Sequence, residues 1–313
     1  MKRTEGYVSF RGLRTWYRVV GEHEEEGKQP VLALHGGPGA THDYIESLEG
    51  LAETGRRVVF YDQVGCGRSD RGDESLWTVE TYVDEVGAVR DELGLDSIHL
   101  FGNSWGGMLA MEYALTQPSG LVSLMLASSP SSIPQWVEET GRLRRALPDD
   151  VQAVLDKHEA AGTTDDPEYE QACDVFYHRH VCRLPEYPDY VLRSFEFIAQ
   201  HGEVYRYMNG PSEFHVVGTL LDWDVTARLG EISVPTLVVS GEHDEATSAI
   251  NRTVSEAIPG AESVIYPDCS HMAHVEDTEG YLRLLDSFMS RVEAGRLSDT
   301  VDGALRTAQD GRS

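Results

Sequence analysis

The chain has 313 residues, 40% of them apolar, which is ordinary for a globular fold and enough to bury a sizeable core. Its 53 acidic residues against 26 basic ones give a formal charge of −27. That field repels nucleic acid and anionic membranes and so excludes both as partners. No stretch approaches the roughly 18–20 continuous apolar residues of a membrane span.

Taken in chain order, Tyr7–Phe10 and Leu13–Val20 alternate as two antiparallel strands joined at Arg11-Gly12. Pro30–Leu34 and Arg57–Asp62 are short continuous apolar runs, the pattern of strands buried on both faces. Helical spacing over 78–93, a strand at Ile98–Phe101, a helix over Met108–Leu115 and a strand at Leu121–Ala127 follow. This rhythm predicts an α/β fold with a mostly parallel, doubly wound sheet. From Ser131 to Trp223 it breaks into a polar, acidic, proline-punctuated stretch with helical runs at Val151–Ala161 and Tyr190–His201. Strands resume at Pro235–Ser240 and Ala261–Tyr266, and a last helix spans Glu279–Glu293. The expected organisation is a core of residues 1–130 and 224–293, a helical cap over 131–223 and a polar tail over 294–313.

The opening Met1-Lys2-Arg3-Thr4-Glu5-Gly6 is followed by no apolar run, so a cytoplasmic location is the expectation. Cys66, Cys173, Cys182 and Cys269 form no CxxC pair and no metal-ligand pattern. Free thiols, no metal and no cofactor are expected. Only three basic residues are lysines (Lys2, Lys28 and Lys157), and the acidic excess serves solubility or attracts cationic substrates.

Gly102-Asn103-Ser104-Trp105-Gly106 is a G-x-S-x-G motif set between a strand and a helix. In that context the serine occupies a sharp turn that lifts its hydroxyl above the sheet. Such a nucleophile needs a base and an acid in the order Ser, Asp, His. Asp244 and His271 stand just past the last two predicted strands, where sites of open α/β sheets form. His243 and His274 compete for the base, and Asp268 and Asp222 more weakly for the acid. His35-Gly36-Gly37-Pro38-Gly39 follows the strand ending at Leu34. It places the Gly37 amide, with that of Trp105, as an oxyanion hole. The loop lacks the lysine and spacing of nucleotide cradles. An aspartate-nucleophile chemistry such as dehalogenation is excluded by the serine at 104.

With these motifs in place the sequence resembles the prolyl aminopeptidases (proline iminopeptidases) and the tricorn-interacting aminopeptidase, of the α/β-hydrolase fold. The matching stretches are His35–Gly39, Asp62–Ser69, Gly102–Gly107, Asn209–Phe214, Gly241–Glu245 and Ser270–Met272. The resemblance implies a serine aminopeptidase acting through an acyl-enzyme on short peptides or amino-acid amides with a free N-terminus, proline preferred. It also implies that Glu213 and Glu245 hold the substrate's α-ammonium; otherwise Glu213 starts a helix and Glu245 faces water. Tyr205, Trp105 and Phe214 either shape the pocket or pack. Cys66 is taken as structural and Arg68 as an anchor of its loop. An amino-acid amidase, an esterase or lactonase, and a non-catalytic receptor on the same fold are the other readings.

Overall fold

A computed structural model describes residues 1–296. Two strands open the chain, β1 (Arg3–Phe10) and β2 (Leu13–Val20), paired antiparallel. Arg11 and Gly12 both have positive φ, 50° and 83°, the backbone that a two-residue hairpin requires. There follow β3 (Val31–Leu34), a 3₁₀ segment (His42–Thr54), β4 (Val58–Tyr61), α1 (Val79–Glu92), β5 (Ile98–Asn103), α2 (Trp105–Leu115) and β6 (Leu121–Ala127). Five helices come next: α3 (Ile133–Arg144), α4 (Asp149–Ala161), α5 (Pro167–His180), α6 (Asp189–His201) and α7 (Glu203–Met208). The sheet resumes with β7 (Thr236–Gly241), α8 (Ser248–Ala257) and β8 (Glu262–Tyr266), before α9 (Ala273–Glu276) and α10 (Thr278–Glu293).

One eight-stranded sheet in the order β1-β2-β4-β3-β5-β6-β7-β8 organises the chain, parallel from β4 to β8. Strands β3, β4, β5 and β7 are buried throughout because both faces are covered. Leu32, Leu100, Leu126 and Val238 point to the face packed by α1, α2 and α8 through Val86, Leu109 and Val254. Their strand neighbours Ala33, Phe101, Met125 and Val239 point to the other face, against Ile45, Leu48, Leu285 and Phe288. This alternation is the period of two of a strand made visible by burial. Caps set the helix starts: the Thr78 hydroxyl accepts from Thr81 N at 3.2 Å, and the Asp277 carboxylate from Gly280 N at 3.3 Å.

The stretch between β6 and β7 carries a small core of its own, with Leu155, Tyr169, Phe176 and Phe214. It is fastened to the sheet side by Arg193, which reaches Asp43 and Glu46 of the 3₁₀ segment at 2.9 and 2.8 Å. Here α3, α5 and α7 join the two helices anticipated, and α8 appears between β7 and β8. Of the predicted tail, residues 294–296 close α10, and 297–313 lie outside the described residues. No helix among the described residues is long and apolar enough to cross a membrane. All four cysteines are buried.

Candidate active site

Ser104 sits between β5 and α2 with φ 57° and ψ −124°, a conformation that costs on the order of 1–3 kcal/mol for a non-glycine residue. The turn closes only because its neighbours are glycines. A Cβ on Gly102 would run into the Gly106 carbonyl, and one on Gly106 into the Leu34 carbonyl. The Ser104 amide is held by the Ala127 carbonyl at 2.9 Å. Helix α2 begins at the next residue, directing its amide end at the space above the serine.

Asp244 and His271 meet across 27 residues of chain, Nδ1 to Oδ1 at 2.9 Å. The carboxylate is over-determined: Ala246 N donates to Oδ1 at 2.8 Å, while Ser128 Oγ and Gly241 N donate to Oδ2 at 2.6 and 3.1 Å. With Nδ1 committed to Asp244, Nε2 is the ring nitrogen left for proton transfer, in a cavity that His271 and Ser104 line together. Burial pulls the imidazole pKa down, but Asp244 beside it, with Glu213 and Glu276 farther off, outweighs burial and lifts it above 6.5. Neither competing histidine lines the cavity. His274 Nε2 is spent on the Tyr44 carbonyl at 3.1 Å, and burial drives its pKa down to about 3. The His243 carbonyl accepts from His180 Nδ1 at 2.9 Å. Asp222 and Asp268 are exposed, outside the lining of the cavity.

The glycine loop is pinned on both sides. Gln63 N donates to His35 Nε2 at 3.0 Å and Gln63 Nε2 to the His35 carbonyl at 2.9 Å. Gln63 Oε1 in turn accepts from the Trp105 indole at 2.8 Å, which ties the loop to the start of α2. Gly37 has φ 111°, and a Cβ there would lie 2.6 Å from the Ala40 and Gly39 amides. It lines the cavity beside Ser104. The Asp62–Ser69 loop is held by Asp62, which accepts from His42 Nδ1 at 2.8 Å and from Arg68 N at 2.9 Å. Cys66 is buried in it, and burial pushes its thiol pKa well up. The Arg68 guanidinium lies 4.4 Å above the Trp16 ring.

Two further carboxylates line the cavity with Ser104 and His271. Glu213 belongs to a turn after α7 and starts no helix, so that alternative falls away. Its carbonyl accepts from the Trp136 indole at 2.7 Å and its Oε1 from the Tyr205 hydroxyl at 2.6 Å. Glu245 does not face water: it is 0% exposed. Neither of its carboxylate oxygens has a hydrogen-bond partner among the described residues, although Oε1 lies 3.5 Å from His271 Nδ1. Burial, then the charges of Glu213 and Asp244, raise its pKa well above the carboxylate range. Glu213 is raised too, by burial that exceeds the help of Tyr205 and His271.

Against this geometry the comparisons are direct. The profile of the alpha/beta hydrolase fold family matches residues 29–278. The proline iminopeptidase of Thermoplasma volcanium is 40% identical over 288 residues, 92% of this chain and 97% of that one. That of Saccharolobus solfataricus is 39% identical over 92% of this chain and 93% of its own. The crystal structure of the Mycobacterium smegmatis proline iminopeptidase superposes with a TM-score of 0.87 at 43% identity, covering 93% and 99% of the two chains. The crystal structure of VinJ does so with 0.90, also at 43%, over 92% and 99%. The chain belongs to the proline iminopeptidase family.

Seen as a member of that family, the chain brings Ser104, Gly37, Glu213, Glu245 and His271 to one cavity, with Asp244 directly behind the histidine. Trp105 lines the adjoining pocket that shares Ser104 and Glu213. Tyr205 is buried, with its hydroxyl spent on Glu213, and lies outside the lining of both pockets, so it is a support for that carboxylate. Phe214 packs on Phe176 in the small core, ring centroids 4.8 Å apart. Sequence reasoning missed Ser128, Gln63 and Tyr44, whose contacts are made across long stretches of chain. Among the described residues three groups of side chains could in principle gather a metal ion, one of them Glu242, His243 and Asp268; none lines this cavity.

Proposed function

We propose that the protein is a serine aminopeptidase that releases the N-terminal residue, proline preferred, from short peptides with a free α-amine. One observation carries this reading: Glu213 and Glu245 converge on the cavity of Ser104, and Glu245 is wholly buried with both oxygens unpartnered. Two buried carboxylates repel each other and lack solvation unless a cation supplies both needs. A substrate ammonium is such a cation, and holding it fixes which carbonyl lies over the serine. The proline preference is supported by the curated relatives.

In this mechanism His271 Nε2 takes the Ser104 hydroxyl proton as Oγ attacks the carbonyl carbon of the first residue. The developing oxyanion is received by the Gly37 and Trp105 amides, each such donor being worth about 3 kcal/mol of barrier. The imidazolium, stabilised by Asp244, gives its proton to the leaving amine, and an acyl-enzyme remains. Water then attacks the ester as His271 takes its proton; the imidazolium returns that proton to Oγ as the C–Oγ bond breaks, releasing the amino acid and restoring the serine.

A panel of aminoacyl p-nitroanilides tests the assignment. Proline p-nitroanilide is expected to have the highest kcat/KM, and a proline-headed tripeptide is expected to lose one residue by mass spectrometry. Cleavage at internal bonds, or a panel in which proline is the poorest substrate, contradicts it.

A further inference from the structure

Tyr44, in the 3₁₀ segment, is buried beneath the cavity it helps to line. Its ring meets that of His274 edge-on with centroids 5.7 Å apart, and its carbonyl accepts from His274 Nε2. Its hydroxyl makes two further bonds. Gly36 N donates to it at 2.8 Å, and it lies 2.6 Å from Asn103 Oδ1.

The direction of the second bond follows from Asn103. The amide nitrogen of that side chain faces two carbonyls, Ala127 at 3.3 Å and His271 at 3.5 Å. Both are acceptors only, so Nδ2 must point to them and Oδ1 must face Tyr44. An amide oxygen accepts, so the phenol proton is donated to Asn103 and its lone pair receives the Gly36 N–H. One hydroxyl thereby joins the residue before Gly37 to the residue before Ser104, and Asn103 carries the link on to the main chain of His271. The fit is close: a Cβ on Gly36 would lie 2.7 Å from the Tyr44 oxygen and 3.0 Å from Ser104 Cβ.

We propose that the Tyr44 hydroxyl, acting through Asn103, sets the relative positions of the oxyanion loop, the nucleophile and the base. Tyr44 is a positioning residue for acyl transfer and touches none of the reacting atoms. The proposal rests on the serine-hydrolase reading of Ser104. It requires that losing the hydroxyl affect kcat rather than KM, because Glu213 and Glu245 are held by other contacts. A small displacement of a reacting group lowers rate by up to about 10²-fold.

The test uses proline p-nitroanilide together with p-nitrophenyl acetate, an ester with no amine to recognise. Tyr44→Phe keeps the ring against His274 and deletes only the hydroxyl. It is expected to lower kcat on both substrates by about 10–100-fold, with KM within about twofold of the wild-type value. Asn103→Ala is expected to show the same split, and the double variant to be no worse than the poorer single, because the two residues form one link. If Tyr44→Phe does not fold, Asn103→Ala is read alone by the same criteria. Wild-type turnover with kcat of the variant unchanged, or losses that multiply in the double variant, overturn the proposal by itself. A wild-type protein that turns over neither substrate overturns the serine-hydrolase reading, and the proposal with it.

Discussion

Replacing Ser104 with alanine is expected to lower kcat by about 10⁴–10⁶-fold, the loss seen when a triad nucleophile is removed. The fold should be unaffected. The Ser104 amide keeps its bond to Ala127, and the glycines around the turn are unchanged. Alanine inherits the same φ of 57°, so the backbone strain is the same in both proteins. Two measurements check this together: single-turnover kinetics with proline p-nitroanilide, and thermal unfolding followed by circular dichroism. A variant that melts with the wild type and retains a tenth of its activity would show that another group attacks the carbonyl. Labelling by a fluorophosphonate, present in the wild type and lost in Ser104→Ala, locates the reactive oxygen independently.

The second large effect belongs to the carboxylates. Glu245→Gln and Glu213→Gln are each expected to reduce kcat/KM for free-amine substrates by about 10²–10⁴-fold, since removing one partner of a buried ion pair costs about 3–5 kcal/mol. Turnover of p-nitrophenyl acetate should fall little, because no ammonium is involved. The same substitution at 245 has an opposite consequence for the free protein. The Glu245 pKa is raised on folding, chiefly by burial and then by Glu213 and Asp244, so folding favours the protonated form. Stability is therefore fully present below the ordinary value of 4.5 and is lost as pH rises from there toward the folded pKa. Glu245→Gln removes that dependence, and the substrate-free variant is expected to melt above the wild type at neutral pH. Thermal unfolding of both proteins from pH 5 to 8 reads the difference. A variant that melts below the wild type across this range, with free-amine turnover intact, would contradict both halves of the argument.

Much of this was legible in the sequence because the informative constraints are local. Gly102, Gly106 and Gly107 flank Ser104 for steric reasons that a motif records. Asp244 and His271 fall just after β7 and β8, where strand ends can be read from apolar runs. The inner strands showed themselves by near-continuous burial on two faces. By contrast α8 buries little more than Ile250, Asn251 and Val254, too narrow a stripe to stand out in a polar stretch. Helices α3, α5 and α7 lie in the segment between β6 and β7, whose apolar residues are divided between two cores: Ile133, Trp136, Val204 and Met208 join the one that α1, α2 and α8 form with the sheet, while Tyr169 and Phe176 join the small one. No one helix face therefore answers to a single flat sheet. The supporting residues were illegible for a different reason. Ser128 reaches Asp244 across 116 positions and Tyr44 reaches Asn103 across 59, and neither pairing leaves a trace in the neighbouring residues. Glu213 and Glu245 stood out through family resemblance; their burial, and the missing partners of Glu245, appear only in three dimensions.

In the proposed mechanism an ammonium bound between two buried carboxylates places the first carbonyl over Ser104. This placement is tested by kcat/KM for proline p-nitroanilide against its N-acetyl form on the wild-type protein. Acetylation removes the positive charge and leaves the scissile bond in place. The acetylated compound is expected to fall by at least about 10²-fold, the scale of a lost buried charge pair. Equal turnover of the two would contradict the amine clamp while leaving Ser104, Asp244 and His271 as a working hydrolase.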